Sequence, residues 1–320
     1  MPDTLIGMDA ISGLLDGPRA RGAFVLRSTM QPPWSLRIQD EAPLSVIAAV
    51  RGDACIVRRD IVTWLNQGDV AVICGPEPYD VADKPSTAPQ SIIQPGQVCT
   101  TPDGVEVPDM AFMGVRAWGN ARDGRTVLLT GTYQLQSEIS ARLLSALPEL
   151  VHLPADALDT PLIAYLAEET VKDEPGQEAL LDRLLDLLLI AVLRAWFARP
   201  DAEAPGWYRA HGDPVVGPAL QLLHNNPERQ WTVESIASAA GVSRAALSRR
   251  FTALVGEPPM TFLTNWRLTL AADLLHEPGN TVESVARKVG YGSAFALSTA
   301  FKRVYGVSPR EHRERAYAGG

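Results

Sequence analysis

Short polar and basic residues at helical spacing make up the chemistry this chain offers. In Ser243-Arg244-Ala245-Ala246-Leu247-Ser248-Arg249-Arg250-Phe251, a helix turns Leu247 and Phe251 to one side and leaves Arg244, Ala245, Ser248 and Arg249 on the other. A second stretch does the same, with Leu297 and Phe301 inward and Ala294, Phe295, Ser298, Thr299 and Lys302 outward. Such faces recognise without covalent change. An arginine fork matches the O6 and N7 of guanine, and short side chains let a helix approach base edges in a major groove. Arg244, Arg250, Lys302 and Arg303 are the expected contacts to the DNA backbone. Covalent chemistry has no comparable candidate: the sequence shows no nucleophile–base pair and no phosphate-cradling glycine loop. No catalytic residue and no cofactor are expected.

The elements that must position these faces form an internal repeat. Thr232-Val233-Glu234-Ser235-Ile236-Ala237 returns as Thr281-Val282-Glu283-Ser284-Val285-Ala286, an offset of 49, and Gly241 returns as Gly290. The register then slips to 50, at which Phe251, Gly256 and Pro259 return as Phe301, Gly306 and Pro309. Each copy reads as a Thr-capped helix, a Gly-containing turn and a second helix starting at a Ser cap, Ser243 or Ser293. Ala237 or Ala286 suits the close approach of two steeply crossing helices, and the glycine four residues on turns the chain without a Cβ clash. The spacing predicts helix-turn-helix units over 232–251 and 281–301. One helix, Thr261 to His276, joins them with Phe262, Trp266, Leu270 and Leu274 inward. A helical bundle that never touches DNA has the same outline, but duplication together with a free basic and polar face argues against it.

Charge agrees. The net charge is −8, yet residues 1–212 carry 17 Lys+Arg against 28 Asp+Glu while residues 213–320 carry 12 against 9. The basic part is the one expected to approach a polyanion. With 320 residues, 46% hydrophobic and 21% charged, the chain has material for two or three packed domains. Its longest apolar run, Leu187 to Leu193, is far short of the roughly 20 residues a membrane helix needs. No secretory signal is read in MPDTLIGMDA, and three cysteines give no disulfide framework, so a reducing, cytoplasmic location is expected.

From Phe24 to about Tyr133 the chain reads as short strands separated by turn signals such as Arg51-Gly52-Asp53 and Gln67-Gly68-Asp69, suggesting a small barrel or sandwich. Lys84 to Met110, rich in Pro, Gly and Thr, reads as a long loop. After Gln136 the pattern turns helical: Ile139, Leu143, Leu144 and Leu147 form one stripe and Leu162, Ile163, Leu166 and Ala167 a second. A third helix, about Gln177 to Phe197, has an apolar face so broad that either packing within its own domain or a dimer contact would account for it. Residues 199–206 have the residue types of a linker.

With these residues in view, the C-terminal part resembles the DNA-binding domain of the AraC/XylS family of bacterial transcription regulators. The resemblance covers about Val215 to Arg313 and is carried by Gly241-Val242-Ser243, Leu247 to Phe251, Arg267-Leu268, Val289-Gly290-Tyr291 and Phe301 to Pro309. It implies two helix-turn-helix subdomains in successive major grooves, reading bases with Ala245, Ser248 and Arg249 and with Ala294, Phe295, Ser298 and Thr299. The chain departs from the family at Thr299, where many members carry Arg, and at Phe295, where polar residues are frequent. The N-terminal part is similar to a cupin-type sensor found in one branch of that family, through Met8-Asp9-Ala10 with Leu14-Leu15, Pro33 to Arg37, Leu65 with Gly68-Asp69, and Leu143 to Pro148 with His152-Leu153. Where many cupins place metal-binding histidines, this chain has Gly75-Pro76-Glu77-Pro78-Tyr79-Asp80. His152, His211, His224, His276 and His312 are read as lying outside the barrel, so no metal is expected.

The resulting expectation is an α+β multidomain chain with four parts: a cupin-like sensor barrel (1–136), a helical dimerisation segment (137–199), a linker (200–212) and an all-α double helix-turn-helix domain (213–320). The expected partners are double-stranded promoter DNA, RNA polymerase and a second copy of the chain. Two effectors are open: a small molecule lined by Trp34, Trp64, Tyr79 and Trp118, or an oxidant acting at Cys55, Cys74 and Cys99, as the resemblance to oxidant-responsive relatives implies. A metal-free cupin enzyme with an appended helical bundle is the alternative class.

Overall fold

The computed structural model describes residues 24–106, 116–133, 144, 147–158, 160–199 and 205–318. The expectations for Met8–Ala10, Leu14–Leu15, Ile139 and Leu143 lie outside the described residues. The chain divides into two compact units, one mainly within residues 18–202 and the other mainly within residues 203–320. Among the described residues no helix is long and apolar enough to cross a membrane.

The first unit is built on two six-stranded sheets. Its strands are β1 (Phe24–Met30), β2 (Ser35–Ile38), β3 (Leu44–Arg51), β4 (Ala54–Arg58), β5 (Ile61–Leu65), β6 (Val70–Cys74), β7 (Tyr79–Ala82), β8 (Ser91–Gln94), β9 (Val98–Thr100), β10 (Ala117–Gly119), β11 (Thr126–Tyr133) and β12 (Leu150–Leu153). One sheet runs β10-β1-β11-β3-β6-β12 and the other β5-β4-β7-β2-β8-β9. Pairing is antiparallel except for β1 with β10 and β2 with β8. Met30, Ile47, Ile73 and Leu128 from the first sheet meet Leu36, Ile56, Leu65 and Val81 from the second, with Trp34 and Tyr79 in the same core.

Helices α1 (Leu162–Glu169) and α2 (Gln177–Phe197) pack on the other face of the first sheet, α1 against β3 and α2 against β12. Gly131 of β11 has no side chain because a Cβ there would lie 2.5 Å from the Leu185 methyl groups, and the buried Tyr133 hydroxyl donates to the Leu185 carbonyl at 2.9 Å. With both faces covered, β3 and β6 are buried almost throughout, which explains their unbroken apolar text. The breadth of the α2 face has the same cause. Leu181, Leu185, Leu188, Val192 and Phe197 are all buried within this one chain, leaving Leu187 as its exposed large apolar residue.

Several expectations change here. Lys84–Met110 is not all loop: Ile92 and Ile93 pair in parallel with β2, and β8 turns back onto β9 through Pro95-Gly96-Gln97. Its apolar pairs are too short to show a period among the prolines and glycines. His152 is not outside the barrel but sits in β12, opposite Ala71, and its Nε2 lies 3.1 Å from Asp69 Oδ2. The segment read as helical therefore also completes a sheet.

The second unit is all helical: α3 (Gly206–His211), α4 (Val216–Asn225), α5 (Val233–Ala239), α6 (Arg244–Val255), α7 (Pro259–His276), α8 (Val282–Lys288), α9 (Ala294–Tyr305) and α10 (Pro309–Ala318). It holds two cores. Trp207, Leu220, Leu247, Phe251, Phe262 and Trp266 belong to one; Leu268, Leu275, Val285, Leu297 and Phe301 belong to the other. Trp207 and Ala210 are buried in the first core, so 206–211 belongs to this unit rather than to a linker.

Candidate nucleic-acid interface

Each half of the interface starts from local capping chemistry. Thr232 and Ser235 exchange side-chain-to-backbone hydrogen bonds at 3.1 and 3.0 Å, fixing the start of α5; Thr281 and Ser284 repeat this at 3.0 and 2.9 Å for α8. The turns close alike, with the Val242 N–H on the Ala237 carbonyl at 3.0 Å and the Tyr291 N–H on the Ala286 carbonyl at 2.8 Å. Both turn glycines are left-handed, Gly241 at φ 68 and Gly290 at φ 84. Ser243 and Ser293 then cap α6 and α9 by accepting from the Ala246 and Ala296 N–H groups, each at 3.2 Å. Leu247, Phe251, Leu297 and Phe301 are fully buried, so the direction of both outer faces is set.

On α6 the outer face carries exposed Arg244, Ala245 and Arg249 with half-buried Ser248. On α9 it carries exposed Phe295 and Thr299 with half-buried Ala294 and Ser298. All seven residues read as base contacts thus lie on the two outer faces. The backbone candidates divide. Lys302 and Arg303 are exposed and make no ion pair among the described residues. Arg244 pairs with Glu234 at 2.6 Å, an exposed pair that is weak and readily exchanged. Arg250 is committed elsewhere: its Nε and Nη2 donate to Asp213 Oδ2 at 2.8 and 2.7 Å, while Asp213 Oδ1 accepts from the Val215 and Val216 N–H groups at the start of α4. Burial raises the Asp213 carboxyl, but Arg250 and the two N–H groups outweigh it and hold the carboxyl below its ordinary range. Without DNA, Arg250 is thus held against Asp213, where the sequence reading expected a contact to the DNA backbone.

The two halves are joined by more than α7. This helix gives Phe262, Leu263 and Trp266 to the first core and Leu268, Ala271, Ala272 and Leu275 to the second. Leu270 and Leu274, read as inward, are only half-buried, because a helix serving two cores has no single apolar stripe. Arg267, which sequence reasoning gave no role beyond its resemblance, donates from Nε to the Pro227 carbonyl at 2.6 Å and from Nη2 to the Arg229 carbonyl at 2.7 Å. Gln230 Nε2 donates to the Gly290 carbonyl at 2.9 Å. The loop before the first reader is thereby tied to the turn of the second.

The barrel residues also separate. Trp34 and Tyr79 are buried between the sheets and Trp118 packs half-buried against that core, but Trp64 is 48% exposed on the edge strand β5 and lines no interior. The Trp34 indole N–H and the Ser35 hydroxyl meet no hydrogen-bond partner among the described residues. Burial, helped by Asp83, pushes the Cys55 thiol up to about 11. Burial also pushes Cys74 up to about 11, against nearby Arg58, and raises Cys99. Reactive thiols are shifted the other way, so these shifts give the redox expectation no support. Among the described residues no three His, Cys, Asp or Glu side chains come together as metal ligands would.

Comparison with known proteins covers both units. Residues 9–198 match the cupin family and residues 236–315 match a helix-turn-helix domain family. An AraC-like transcription regulator of Streptomyces lividans is 34% identical over 96% of this chain and 98% of its own. Another, from Streptomyces antibioticus, is 35% identical over 96% and 99%. The HTH-type transcriptional regulator AlkR of Acinetobacter baylyi is 27% identical over 97% of this chain and 100% of its own.

Proposed function

This chain belongs to the AraC-type transcription regulators that carry an N-terminal cupin domain, and from that premise we propose that α6 and α9 read two adjacent boxes of one promoter site under control of the barrel. The protein is a sequence-specific DNA-binding regulator. What carries the two-box reading is the duplicated geometry: two capped helices, each with its inner face buried, each with a free outer face, tied through Arg267 and Gln230. Ala245, Ser248 and Arg249 read the first box, and Ala294, Phe295, Ser298 and Thr299 the second. Lys302 and Arg303 hold phosphates, joined by Arg244 when it exchanges Glu234 for DNA.

The sensor acts as an equilibrium bias: an effector that favours one arrangement of the barrel shifts promoter occupancy or polymerase contact. A small molecule with a hydrogen-bond acceptor is the effector favoured here, because the Trp34 N–H is buried without a partner among the described residues. The protein acts in the cytoplasm, as a homodimer, with the linker reduced to about 200–205.

The test is selection of random duplex DNA by the full-length protein at fixed salt, since backbone contacts depend steeply on it. The expected result is an enriched two-box site with elements about 10 base pairs apart. No enriched sequence, with and without a metabolite extract, would sink direct readout by these helices.

A further inference from the structure

We propose that α9 reads the second box through the C5-methyl group of thymine, with Phe295 as the side chain that senses it. This rests on the assignment of α9 as a reader. Phe295 is 81% exposed, more than any other large apolar residue among those described, and it stands at the second position of α9, where a recognition helix meets base edges.

The backbone N–H groups on either side of it are already used. The Ala294 N–H donates to Glu283 Oε2 at 3.3 Å and the Ala296 N–H to the Ser293 hydroxyl at 3.2 Å. A carboxylate at the start of a helix also disfavours a phosphate there. Thr299 donates its hydroxyl to the Phe295 carbonyl at 3.0 Å, which leaves that oxygen only as an acceptor. Ahead of Lys302 the outer face of α9 thus offers an aromatic ring, the alanine and threonine methyl groups and two hydroxyls.

No forked or amide donor stands beside Phe295. The positions that hold Arg244 and Arg249 in the first reader hold Ala294 and Thr299 in the second. In the major groove, guanine suits a bidentate donor, adenine an amide and cytosine an acceptor, whereas thymine alone carries an apolar mark. Lys302 and Arg303, exposed further along the helix, supply the charge that brings this apolar end to DNA rather than to an apolar protein surface.

The experiment uses the full-length protein on its selected site, replacing each thymine of the second box with uracil, which removes only the methyl group. Wild-type affinity should fall about threefold to tenfold at one or two positions, the scale of one buried methyl group. With Phe295→Ala the site should bind more weakly and the uracil effect should disappear, while Phe295→Leu should keep part of it. Phe295 is exposed, so neither change threatens folding. Two results would overturn the proposal while leaving two-box binding intact. One is an unchanged affinity on every uracil substitution. The other is the same uracil effect in wild type and Phe295→Ala, which with lost polymerase activation would make Phe295 a protein contact. Absence of any two-box site is a different failure, that of the reader assignment itself.

Discussion

At Arg250 the guanidinium is spent on Asp213, a partner 37 residues away that also caps the start of α4, while its neighbour Arg249 points outward from the same helix with no ion pair among the described residues. Helical spacing alone could not separate them, because both lie off the Leu247–Phe251 stripe and Asp213 belongs to no periodic pattern. Arg249→Ala should cost about 1–3 kcal/mol of binding and relax preference at one base position. Arg250→Ala should instead lower the melting temperature and leave base preference unchanged. Lys302→Ala should weaken all sequences alike and reduce the salt dependence of log K by about one. Competition binding across a library of single-base variants reads all three, and an unchanged preference in Arg249→Ala would reassign that residue to the backbone. The thiols were equally ambiguous in the sequence, since burial and not spacing sets their pKa. Replacing Cys55, Cys74 and Cys99 together with Ser should leave the response of DNA binding to oxidants unaltered.

The two turn glycines show how far an element can be read from its own residues. The Thr caps, the glycine turns and the Ser starts of α6 and α9 were all legible, because each is fixed within about one turn of chain. The surroundings were not. Nothing lies within 4 Å of a Cβ built on Gly241, whereas one built on Gly290 would stand 2.7 Å from the Glu228 carbonyl oxygen and 2.8 Å from Arg267 Nη2. Gly241→Ala should therefore cost only the strain of a left-handed alanine, about 1–2 kcal/mol, and Gly290→Ala measurably more in urea unfolding. Because Gly290, Gln230 and Arg267 also tie the two readers together, Arg267→Ala should widen the accepted box spacing by about one base pair in selection experiments. A spacing as strict as in the wild type would show that α7 alone sets the register. The β8–β9 hairpin and β12 escaped sequence reading for a related reason: their pairing partners, β2 and β6, are distant in the chain.

On the scale of the whole molecule, the barrel unit has both lowered and raised carboxylates where the helical unit has the lowered Asp213, and the two should respond differently to acid. In the helical unit Asp213 is held below its ordinary pKa. Its contribution is thus present above the unfolded value, near 4, and is lost as pH falls through the lower folded value. In the barrel unit Asp69 has the same sign. Burial raises it, but the Asn66 N–H at 2.9 Å, His152 and the Ala155 N–H at 2.9 Å outweigh that and lower it. Glu169 is also lowered, by Lys172 and Gln177. Asp80 and Asp182 act in the other direction, both raised by burial, the latter also by Glu178. A raised carboxyl takes up its proton more readily in the folded state, so stability gains as pH falls through the folded value and stops gaining at the unfolded one. Acidification from neutral to about pH 4 should therefore leave the barrel level or slightly firmer. Only below that, as Asp69 and Glu169 protonate, should the barrel weaken. The helical unit, through Asp213, should lose stability over the same range. Peptide-resolved hydrogen exchange, corrected for intrinsic rates, separates the units. Asp213→Asn should flatten the pH response of α4 and α6 alone, and Asp69→Asn that of β6 and β12 alone. A common response of both units to either substitution would mean that they unfold as one.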